Sequence, residues 1–401
     1  MVVLNNYISK ILFKDTNNSY SVLTYIDVDG IFTEQYVHSY VNEVFQQNNN
    51  LHQYIIEKNN QFFLEHIDSI HIKDYCSIIY TNHTQFDRPM DTMLNDNFNT
   101  ELKWKFLFCI DKENHKSRFY FKIHHSLADG YLIIKMLTSP FQKNDFTNQF
   151  KRKTTFFNTL YYYFIGTILL LVMYIRNFFT LVFKSFNREP ESTKRNTDYI
   201  VFKPLNFQDI KPFTKKKNIT VNDFLYSLMI KTDDLYRQKE KIVLTVSPMN
   251  VSGTTQLNNM FPILFYTNNS CTVSTLITKV NHTFNNFKYS LFIPCLYILM
   301  KCITPYTPLN LFSNIYTTVL DHTDYVYSNI IGPSRFFFTN DIKVTDIHFL
   351  TNASKREIVY NIISCDDNIN IICSFKKGVI SNKRKFKQCL YKAYSTIINL
   401  E

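Results

Sequence analysis

Two apolar patterns recur along the chain and predict its secondary structure. Short runs rich in apolar, β-branched and aromatic residues predict strands, and they cover residues 21–28, 102–110, 118–124, 241–246 and 369–375. Apolar residues spaced three and four apart predict amphipathic helices, over residues 33–46, 130–137 and 220–237. No repeat of about 20 to 50 residues is visible, which disfavours a solenoid or propeller. Because strands and helices mix on both sides of the middle of the chain, an α/β protein in two halves is predicted.

A long apolar stretch, LYYYFIGTILLLVMYIRNFFTLVF at residues 160–183, lies between these halves. A helix needs about 20 mostly apolar residues to cross a bilayer, and sixteen such positions precede the interruption at Arg176 and Asn177. Basic residues flank both sides, so charge fixes no orientation. Two interpretations stay open: a membrane-embedded or re-entrant helix, and a buried or surface-lying helix of a soluble protein. In both, the chain divides into residues 1–150, 151–205 and 206–401.

Charge and cysteine content narrow the function classes. The net charge of +11 is spread over short basic clusters at residues 151–153, 215–217 and 383–387. Nucleic-acid binding needs basic and stacking aromatic residues on one surface, so it is not predicted. The clusters indicate solvated faces, an anionic membrane surface or a polyphosphate substrate. The eight cysteines are scattered with no Cys-x-x-Cys pair, which predicts reduced thiols. The first residues show no signal-peptide pattern.

The segment FYFKIHHSLADGYLIIKML, residues 119–137, places two adjacent histidines at the end of a predicted strand. Side chains alternate between the faces of a strand. His125 therefore continues the apolar face of Phe121 and Ile123 and is predicted to point toward the interior or a crevice. His124 is predicted to point with the polar set. Because neighbouring side chains diverge and no further ligand spacing follows, no metal site is predicted.

The residues after the histidine pair predict a tight loop and a helix start. Asp129 and Gly130 precede the apolar helix, so Asp129 is predicted to cap it or to pair with a buried cation. Ser126 follows His125 directly. Adjacent residues in extended chain diverge, which disfavours a Ser-His nucleophile pair.

HHSLADG resembles the His-His-x-x-x-Asp-Gly signature of the acyltransferase superfamily that includes chloramphenicol acetyltransferase, peptide-synthetase condensation domains and the wax ester synthase/diacylglycerol acyltransferase family. TVNDFLYSLMI at 220–230 resembles the Asn-Asp helix motif of the last family, and YSNIIGPSR at 327–335 resembles its Ser-Asn-Val-Pro-Gly-Pro segment. LKWKF, with Trp104, occupies the place of Pro-Leu-Trp, and NIISCDDNINI that of a Ser-Tyr-Asp-Gly strand turn. The order agrees over nearly the whole chain.

Four positions depart from the family pattern. Leu102 replaces the proline of Pro-Leu-Trp, and Lys103 replaces its leucine. Ile331 stands where the family has proline, and Asp367 replaces the turn glycine. These departures concern the entrance and floor of the substrate tunnel and leave the histidine motif intact.

The resemblance implies a fold and a reaction. It implies two chloramphenicol acetyltransferase-like half-domains, each a mixed sheet with packed helices, with an active-site tunnel at their junction. His125 would be the general base that deprotonates an alcohol as it attacks the thioester of an acyl-CoA. Acyl-CoA would be a co-substrate, with no other cofactor. The other implied site residues are the motif members His124 and Asp129, with Gly130, Asn222, Ser328, Asn329 and Gly332 at the substrate.

Asn222 is a candidate donor to the developing oxyanion. The alternative is that Thr220 and Asp223 form a capping pattern and Asn222 merely occupies the first helical turn.

The acceptor implied by the resemblance is a fatty alcohol or a diacylglycerol, which would yield a wax ester or triacylglycerol. A membrane lipid surface is an expected partner, at the cytosolic face of the endoplasmic reticulum or on lipid droplets. Two alternatives remain: a soluble condensation-type or small-alcohol acyltransferase, and a non-catalytic lipid-binding protein of this fold.

Overall fold

A computed structural model of the chain describes most of both halves. The described residues are 2–3, 20–58, 61–98, 101–140, 168, 175, 197–238, 242–250, 260–268, 271–289, 323–333, 342–353 and 358–400. The strands are β1 (Val2–Val3), β2 (Ser21–Asp29), β3 (Gln53–Lys58), β4 (Gln61–His66), β5 (Cys76–Tyr80), β6 (Trp104–Asp111), β7 (Lys116–His124), β8 (Thr197–Val201), β9 (Leu205–Asn206), β10 (Ile242–Asn250), β11 (Met260–Asn268), β12 (Tyr325–Ile331), β13 (Lys343–Thr351), β14 (Ile358–Cys365) and β15 (Asn368–Lys376). The helices are α1 (Glu34–Gln47), α2 (Ile72–Tyr75), α3 (Arg88–Asn95), α4 (Gly130–Thr138), α5 (Phe207–Lys216), α6 (Val221–Arg237), α7 (Val273–Tyr289) and α8 (Lys383–Ile398).

The strands form two large mixed sheets. The five-stranded sheet has the order β13-β2-β7-β6-β5, and its β5–β6 pair is parallel. The seven-stranded sheet runs β11-β10-β12-β14-β15-β8, with β9 beside β15, and its β10–β12 and β12–β14 pairs are parallel. A small sheet, β1-β4-β3, stands apart from these two. The predicted α/β class with a mixed sheet in each half is confirmed.

Strand β13 ties the two halves together. It follows β12 of the seven-stranded sheet in the chain but pairs antiparallel with β2 in the five-stranded sheet. Asn370 of β15 donates to the carbonyl oxygen of Ile347 in β13 at 2.8 Å, which links the crossing strand to the other sheet. Strand β8, within the predicted connecting region 151–205, joins the seven-stranded sheet. The predicted boundaries at 150 and 205 stay predictions.

Local sequence signals account for the helix positions. Helix α1 begins after Thr33, whose hydroxyl accepts from the Tyr36 amide, and it buries Val37, Val41 and Val44 at helical spacing. Helix α6 begins with a complete capping box between Thr220 and Asp223. The predicted helices 33–46, 130–137 and 220–237 and the five predicted strands are all present, with ends that differ by at most four residues from the predicted ones.

Each large sheet carries its own core. The five-stranded sheet packs α1 and α4 against Trp104, Phe106 and Phe121. The seven-stranded sheet packs α6 and α8 against Tyr325, Tyr327 and Tyr360. A third cluster joins the halves, because Leu23 and Tyr120 of the first sheet and α3 pack with Ile372 of the second.

The apolar stretch 160–183 lies outside the described residues, apart from two of its members. Ile168 and Ile175 are helical, and their side chains are 48% and 51% exposed. Across the part of the chain that the structure describes, no helix has the length and apolar character needed to cross a bilayer.

Candidate active site

The histidine pair lies where strand β7 ends and a turn begins. Strand β7 ends at His124, whose amide donates to the Lys103 carbonyl at 2.8 Å, and His125 is the first turn residue. The amide of His125 donates to the carbonyl of Tyr20 at 2.7 Å. His125 is half-buried, whereas His124 is 5% exposed. Strand alternation therefore stops one residue before His125, and the turn sets the direction of its side chain.

The face of β7 that carries His124 is buried as well. The predicted apolar face is in the core through Phe121 and Ile123, as expected. On the opposite face, however, Tyr120 and Lys122 are also fully buried. The alternating pattern distinguished the two faces correctly but missed this burial, because α3 and the second sheet, which cover that face, are distant in sequence.

His124 holds the turn through Ser126. The Nδ1 atom of His124 lies 2.7 Å from the Ser126 hydroxyl and accepts from the Ser126 amide at 3.3 Å. Because an amide N–H only donates, Nδ1 is the acceptor nitrogen and the neutral ring carries its proton on Nε2. His124 thus has a positioning role in the turn that presents His125.

Asp129 caps the helix that follows the turn, as predicted. Its Oδ1 accepts from the Leu132 amide at 2.9 Å, and its side chain is 4% exposed. The cap satisfies one of the amides at the start of α4. Asp129 therefore fixes the loop between His125 and the helix.

Gly130 brings the motif against the second sheet. A Cβ atom added at Gly130 would lie 2.2 Å from Cδ1 of Ile330 in β12, closer than real Cβ contacts come. Any larger residue at this position would force the Ile330 side chain to move, so glycine favours the observed approach of α4 to β12. This contact places the histidine turn at the junction of the two halves.

Gly130→Ala is expected to lower activity by about 10-fold, because overpacking a tight contact shifts the elements that meet there. Ile330→Val removes the clashing Cδ1 atom and should restore most of the activity in the double variant. The measurement is a double-mutant cycle of turnover and melting temperature. Additive losses in the cycle would contradict a direct contact.

Asn50 supports the histidine turn from the other side. Its Nδ2 donates to the carbonyl of Leu127 at 3.2 Å, and the neighbouring Leu51 carbonyl accepts from the Trp104 indole at 2.9 Å. Trp104 itself is fully buried in the first core. Sequence reasoning missed Asn50, since it stands in an Asn-Asn-Asn run within an asparagine-rich chain.

Asn222 and Asn329 are in direct contact on one side of β12. The Oδ1 atom of Asn222 accepts from Asn329 Nδ2 at 2.9 Å and from the Tyr327 hydroxyl at 3.0 Å. With two donors on its oxygen, the amide of Asn222 is oriented, and its Nδ2 is the atom that can donate further. The capping box places Asn222 in the first turn of α6. The observed geometry is therefore compatible with both predicted roles of Asn222, as a donor to the oxyanion and as a residue of the first helical turn.

Ser328 lies on the other face of β12. Alternation along the strand puts Ser328 with Ile330, which contacts Gly130 of the first half. Asn329 faces α6 instead. Of the two predicted tunnel residues, Ser328 therefore shares a face with Ile330, and Asn329 lies with Asn222.

The structure accounts for two positions of the family pattern, the glycine at Gly332 and the replacement of the turn glycine by Asp367. A Cβ atom at Gly332 would lie 2.0 Å from the backbone oxygen of Ser364, so only glycine fits. The turn between β14 and β15 has positive φ at Asp366, at 53°, and not at Asp367. Replacement of the turn glycine by Asp367 is consequently free of backbone strain.

Two lysines with lowered pKa values lie close to the histidine pair. Lys122 lies two residues before His124 on the same strand face, and burial together with the nearby charge of Lys105 lowers its pKa to about 7. Burial also lowers the pKa of Lys103. Within the described ranges, no group of three His, Cys, Asp or Glu side chains could hold a metal ion.

Comparisons with known proteins agree with this architecture. Residues 260–398 match the sequence profile of the family described as WS/DGAT C-terminal domain. No curated protein matches the sequence.

Several solved structures share the fold over nearly the whole chain. The wax ester synthase/diacylglycerol acyltransferase from Marinobacter aquaeolei superposes with a TM-score of 0.65 at 12% identity, covering 99% of this chain and 98% of that one. The trichothecene 15-O-acetyltransferase from Fusarium sporotrichioides gives a TM-score of 0.67 at 9% identity, covering 99% and 94%. The first condensation domain of the CDA synthetase gives 0.64 at 7% identity, covering 100% and 96%.

The profile match lies in the second half, and the HHSLADG turn lies in the first, at the junction with that half. Residues 260–398 thus match the C-terminal domain of the wax ester synthase/diacylglycerol acyltransferase family, and the whole chain shares its fold with a solved member of that family.

Proposed function

We propose that the chain is an acyl-CoA-dependent O-acyltransferase that esterifies a long-chain alcohol or a diacylglycerol. The observation that carries the proposal is the position of the HHSLADG turn, held against β12 of the other half by the contact between Gly130 and Ile330. Such a junction can bring a donor and an acceptor together from two sides. The match to the WS/DGAT C-terminal domain supports acyl transfer as the reaction class.

His125 is the general base in this mechanism. A neutral imidazole accepts a proton near neutral pH, and this assistance typically contributes about 10² to 10⁴ in rate. His125 takes the proton of the acceptor hydroxyl as that oxygen attacks the thioester carbonyl. The intermediate then collapses, the C–S bond breaks, and the CoA thiolate takes the proton back from His125. The acceptor is itself the nucleophile, so no acyl-enzyme forms.

The oxyanion is stabilised by hydrogen-bond donors, and Asn222 is our candidate. Its orientation by Tyr327 and Asn329 leaves the amide nitrogen to donate. A donor held in advance costs little reorganisation during the reaction. Ser328, on the face turned toward the first half, is a second polar group of the tunnel wall.

The testing experiment is release of CoA from palmitoyl-CoA by the purified full chain, with hexadecanol or a diacylglycerol as acceptor. We expect release that depends on the acceptor, and the better acceptor identifies the product as wax ester or triacylglycerol. A small alcohol serves as a third arm, since the fold is shared with the trichothecene 15-O-acetyltransferase. Turnover with the small alcohol alone favours the soluble small-acceptor alternative. Absence of turnover with all three contradicts the proposal.

Association with a lipid surface, at the endoplasmic reticulum or on lipid droplets, is part of the proposal. The apolar stretch 160–183 supports it. The full chain is expected to float with phospholipid vesicles in a density gradient. A variant lacking residues 160–183 should remain at the bottom, and flotation of both proteins would contradict the assignment of this stretch.

A further inference from the structure

His52 is a buried histidine outside the HHSLADG motif whose two ring nitrogens both face backbone carbonyls. It ends the short 3-10 turn Asn49–His52 that follows α1, and it is 6% exposed. Its Nε2 lies 2.8 Å from the carbonyl oxygen of Phe45, and its Nδ1 lies 3.1 Å from that of Ile67. A carbonyl oxygen only accepts, and a neutral imidazole has a single N–H. Both contacts are therefore hydrogen bonds only when the ring carries a proton on each nitrogen.

The surroundings of the ring favour this doubly protonated form. Phe45 belongs to the last turn of α1, whose carbonyls have no partner within the helix and attract a cation through the helix dipole. That last turn contains no basic residue of its own, so His52 supplies the positive charge at this helix end. The Phe45 ring is stacked on the imidazole with 3.7 Å between centroids, and aromatic faces attract cations. These contacts offset the cost of burying the charge.

One other titratable ring is in contact with His52. His66 of β4 is stacked at 5.1 Å between centroids, and its Nδ1 lies 3.1 Å from the carboxylate of the exposed Asp68. On the other side of Phe45 lie Trp104 and then Tyr75, and burial raises the pKa of Tyr75, which therefore stays neutral. A proton on His66 would repel one on His52. The contribution of His66 must therefore be separated from that of His52 in any test.

The turn that ends at His52 also contacts the histidine turn. Asn50 donates to the carbonyl of Leu127 at 3.2 Å, and the amide of Leu127 donates to the carbonyl of His124 at 3.0 Å. Leu127 is the second residue after His125. A shift of the segment that His52 anchors would therefore pass through Asn50 to the backbone beside His125.

We propose that His52 is a positioning residue for the histidine turn and acts in its doubly protonated form. With both N–H groups, it ties the 3-10 turn to the end of α1 and to Ile67, so that Asn50 keeps its bond to Leu127. When the ring releases a proton, one of the two hydrogen bonds is lost, and a nitrogen lone pair faces a carbonyl oxygen. The inference rests on the proposed function.

The sign of this effect is opposite to that of the general base. His125 must be neutral to accept a proton, so its contribution to the rate rises with pH. The positioning by His52 is present at low pH and is lost as the pH rises and its ring is deprotonated. The two contributions can therefore be distinguished in a pH profile.

His52→Gln tests the positioning role, because glutamine keeps an amide donor but does not titrate. The quantity measured is the kcat of the wild type divided by the kcat of His52→Gln, for acceptor-dependent CoA release. This ratio is expected to be about 5-fold larger at about pH 6 than at about pH 8.5, since misplacing a catalytic group costs rate. Titration of His125 affects both proteins and cancels in the ratio. A role in folding alone would not make the ratio depend on pH while both proteins are folded.

Asn50→Ala tests the connection to Leu127. In the Asn50→Ala background, His52→Gln should change kcat by the same factor at both pH values, because the link to the histidine turn is already absent. If His52→Gln does not fold, Asn50→Ala alone decides the question. The kcat ratio of the wild type to Asn50→Ala should then be larger at low pH than at high pH, and an equal ratio overturns the inference.

His66→Gln is the matched control, since it removes the stacked ring that has no bond to the 3-10 turn. The kcat ratio of the wild type to His66→Gln should be the same at both pH values. If this ratio depends on pH while that of His52→Gln does not, His66 is the titrating group and the inference is overturned.

A second measurement does not depend on turnover. The doubly protonated ring makes both bonds only in the folded protein, so its stabilisation is present at low pH and is lost as the pH rises. The melting temperature of the wild type should exceed that of His52→Gln by about 2 to 4 °C more at about pH 6 than at about pH 8.5. If no acceptor is turned over, the proposed function fails, and this comparison still decides whether His52 makes both bonds. A difference in melting temperature that is independent of pH overturns the inference, and so does a pH-independent kcat ratio of the wild type to His52→Gln.

Discussion

Replacement of His125 by alanine is expected to lower acceptor-dependent CoA release from palmitoyl-CoA by about 10² to 10⁴-fold. The imidazole is the group that takes the hydroxyl proton, and water in the vacated space is a weaker base. The turn that presents His125 is fixed from three sides, by the Tyr20 carbonyl, by the Ser126–His124 contact and by Asn50 on Leu127. The alanine variant should therefore keep its fold and its melting temperature.

A matched histidine is available as the control. His115 is exposed in the turn at the other end of β7 and has a positive φ of 52°. His115→Asn suits this conformation, because asparagine tolerates the left-handed region, and it should retain full activity. The loss in His125→Ala should fall on kcat, since the base acts in the transition state. Equal release by His125→Ala and the wild type, or release without an acceptor, would exclude His125 as the general base of alcohol acylation.

Local signals in the sequence predicted the elements around the site. Helix α6 begins where Thr220 and Asp223 form the capping box, and Asp129 caps α4 as its position before the apolar helix indicated. Strand β7 appears with its apolar face in the core. These predictions succeeded because each depends on residues within one turn of a helix or along one strand.

The features that depend on distant residues were not predictable in this way. Strand β13 pairs with β2 although more than three hundred residues separate them, and no local pattern specifies that partner. Burial of Lys122 requires α3 and the second sheet to cover its face. The contact of Asn50 with Leu127 joins two segments that only the folded chain brings together.

The prediction for His125 extended the alternation rule one residue beyond the strand and stays a prediction. The rule placed His125 on the apolar face by extending the strand through it, but the strand ends at His124. The backbone dihedrals of a turn differ from those of a strand, so alternation does not fix the direction of a side chain in a turn. By contrast, alternation along β12 separates Ser328 from Asn329, because both lie inside the strand.

Asn222→Asp is expected to lower kcat by about 10² to 10³-fold, the loss typical when one oxyanion donor is removed. Aspartate has the shape of asparagine, and its Oδ1 can still accept from Tyr327 and Asn329. The variant therefore keeps the contacts that orient the side chain and exchanges the donating nitrogen for an oxygen that repels the oxyanion. KM should change little, because the donor acts on charge that develops in the transition state.

The control for this variant is Asn206→Asp. Asn206 caps α5 by accepting from the Gln208 amide, and aspartate is an equally good N-cap. It adds the same negative charge without removing a donor from the site, so activity and stability should stay at the wild-type level. If Asn222→Asp keeps its kcat, Asn222 serves only the first turn of α6 and the oxyanion donor lies elsewhere. If Asn222→Asp loses kcat while its melting temperature holds, the structural role alone cannot explain the loss, since the capping box of Thr220 and Asp223 is intact.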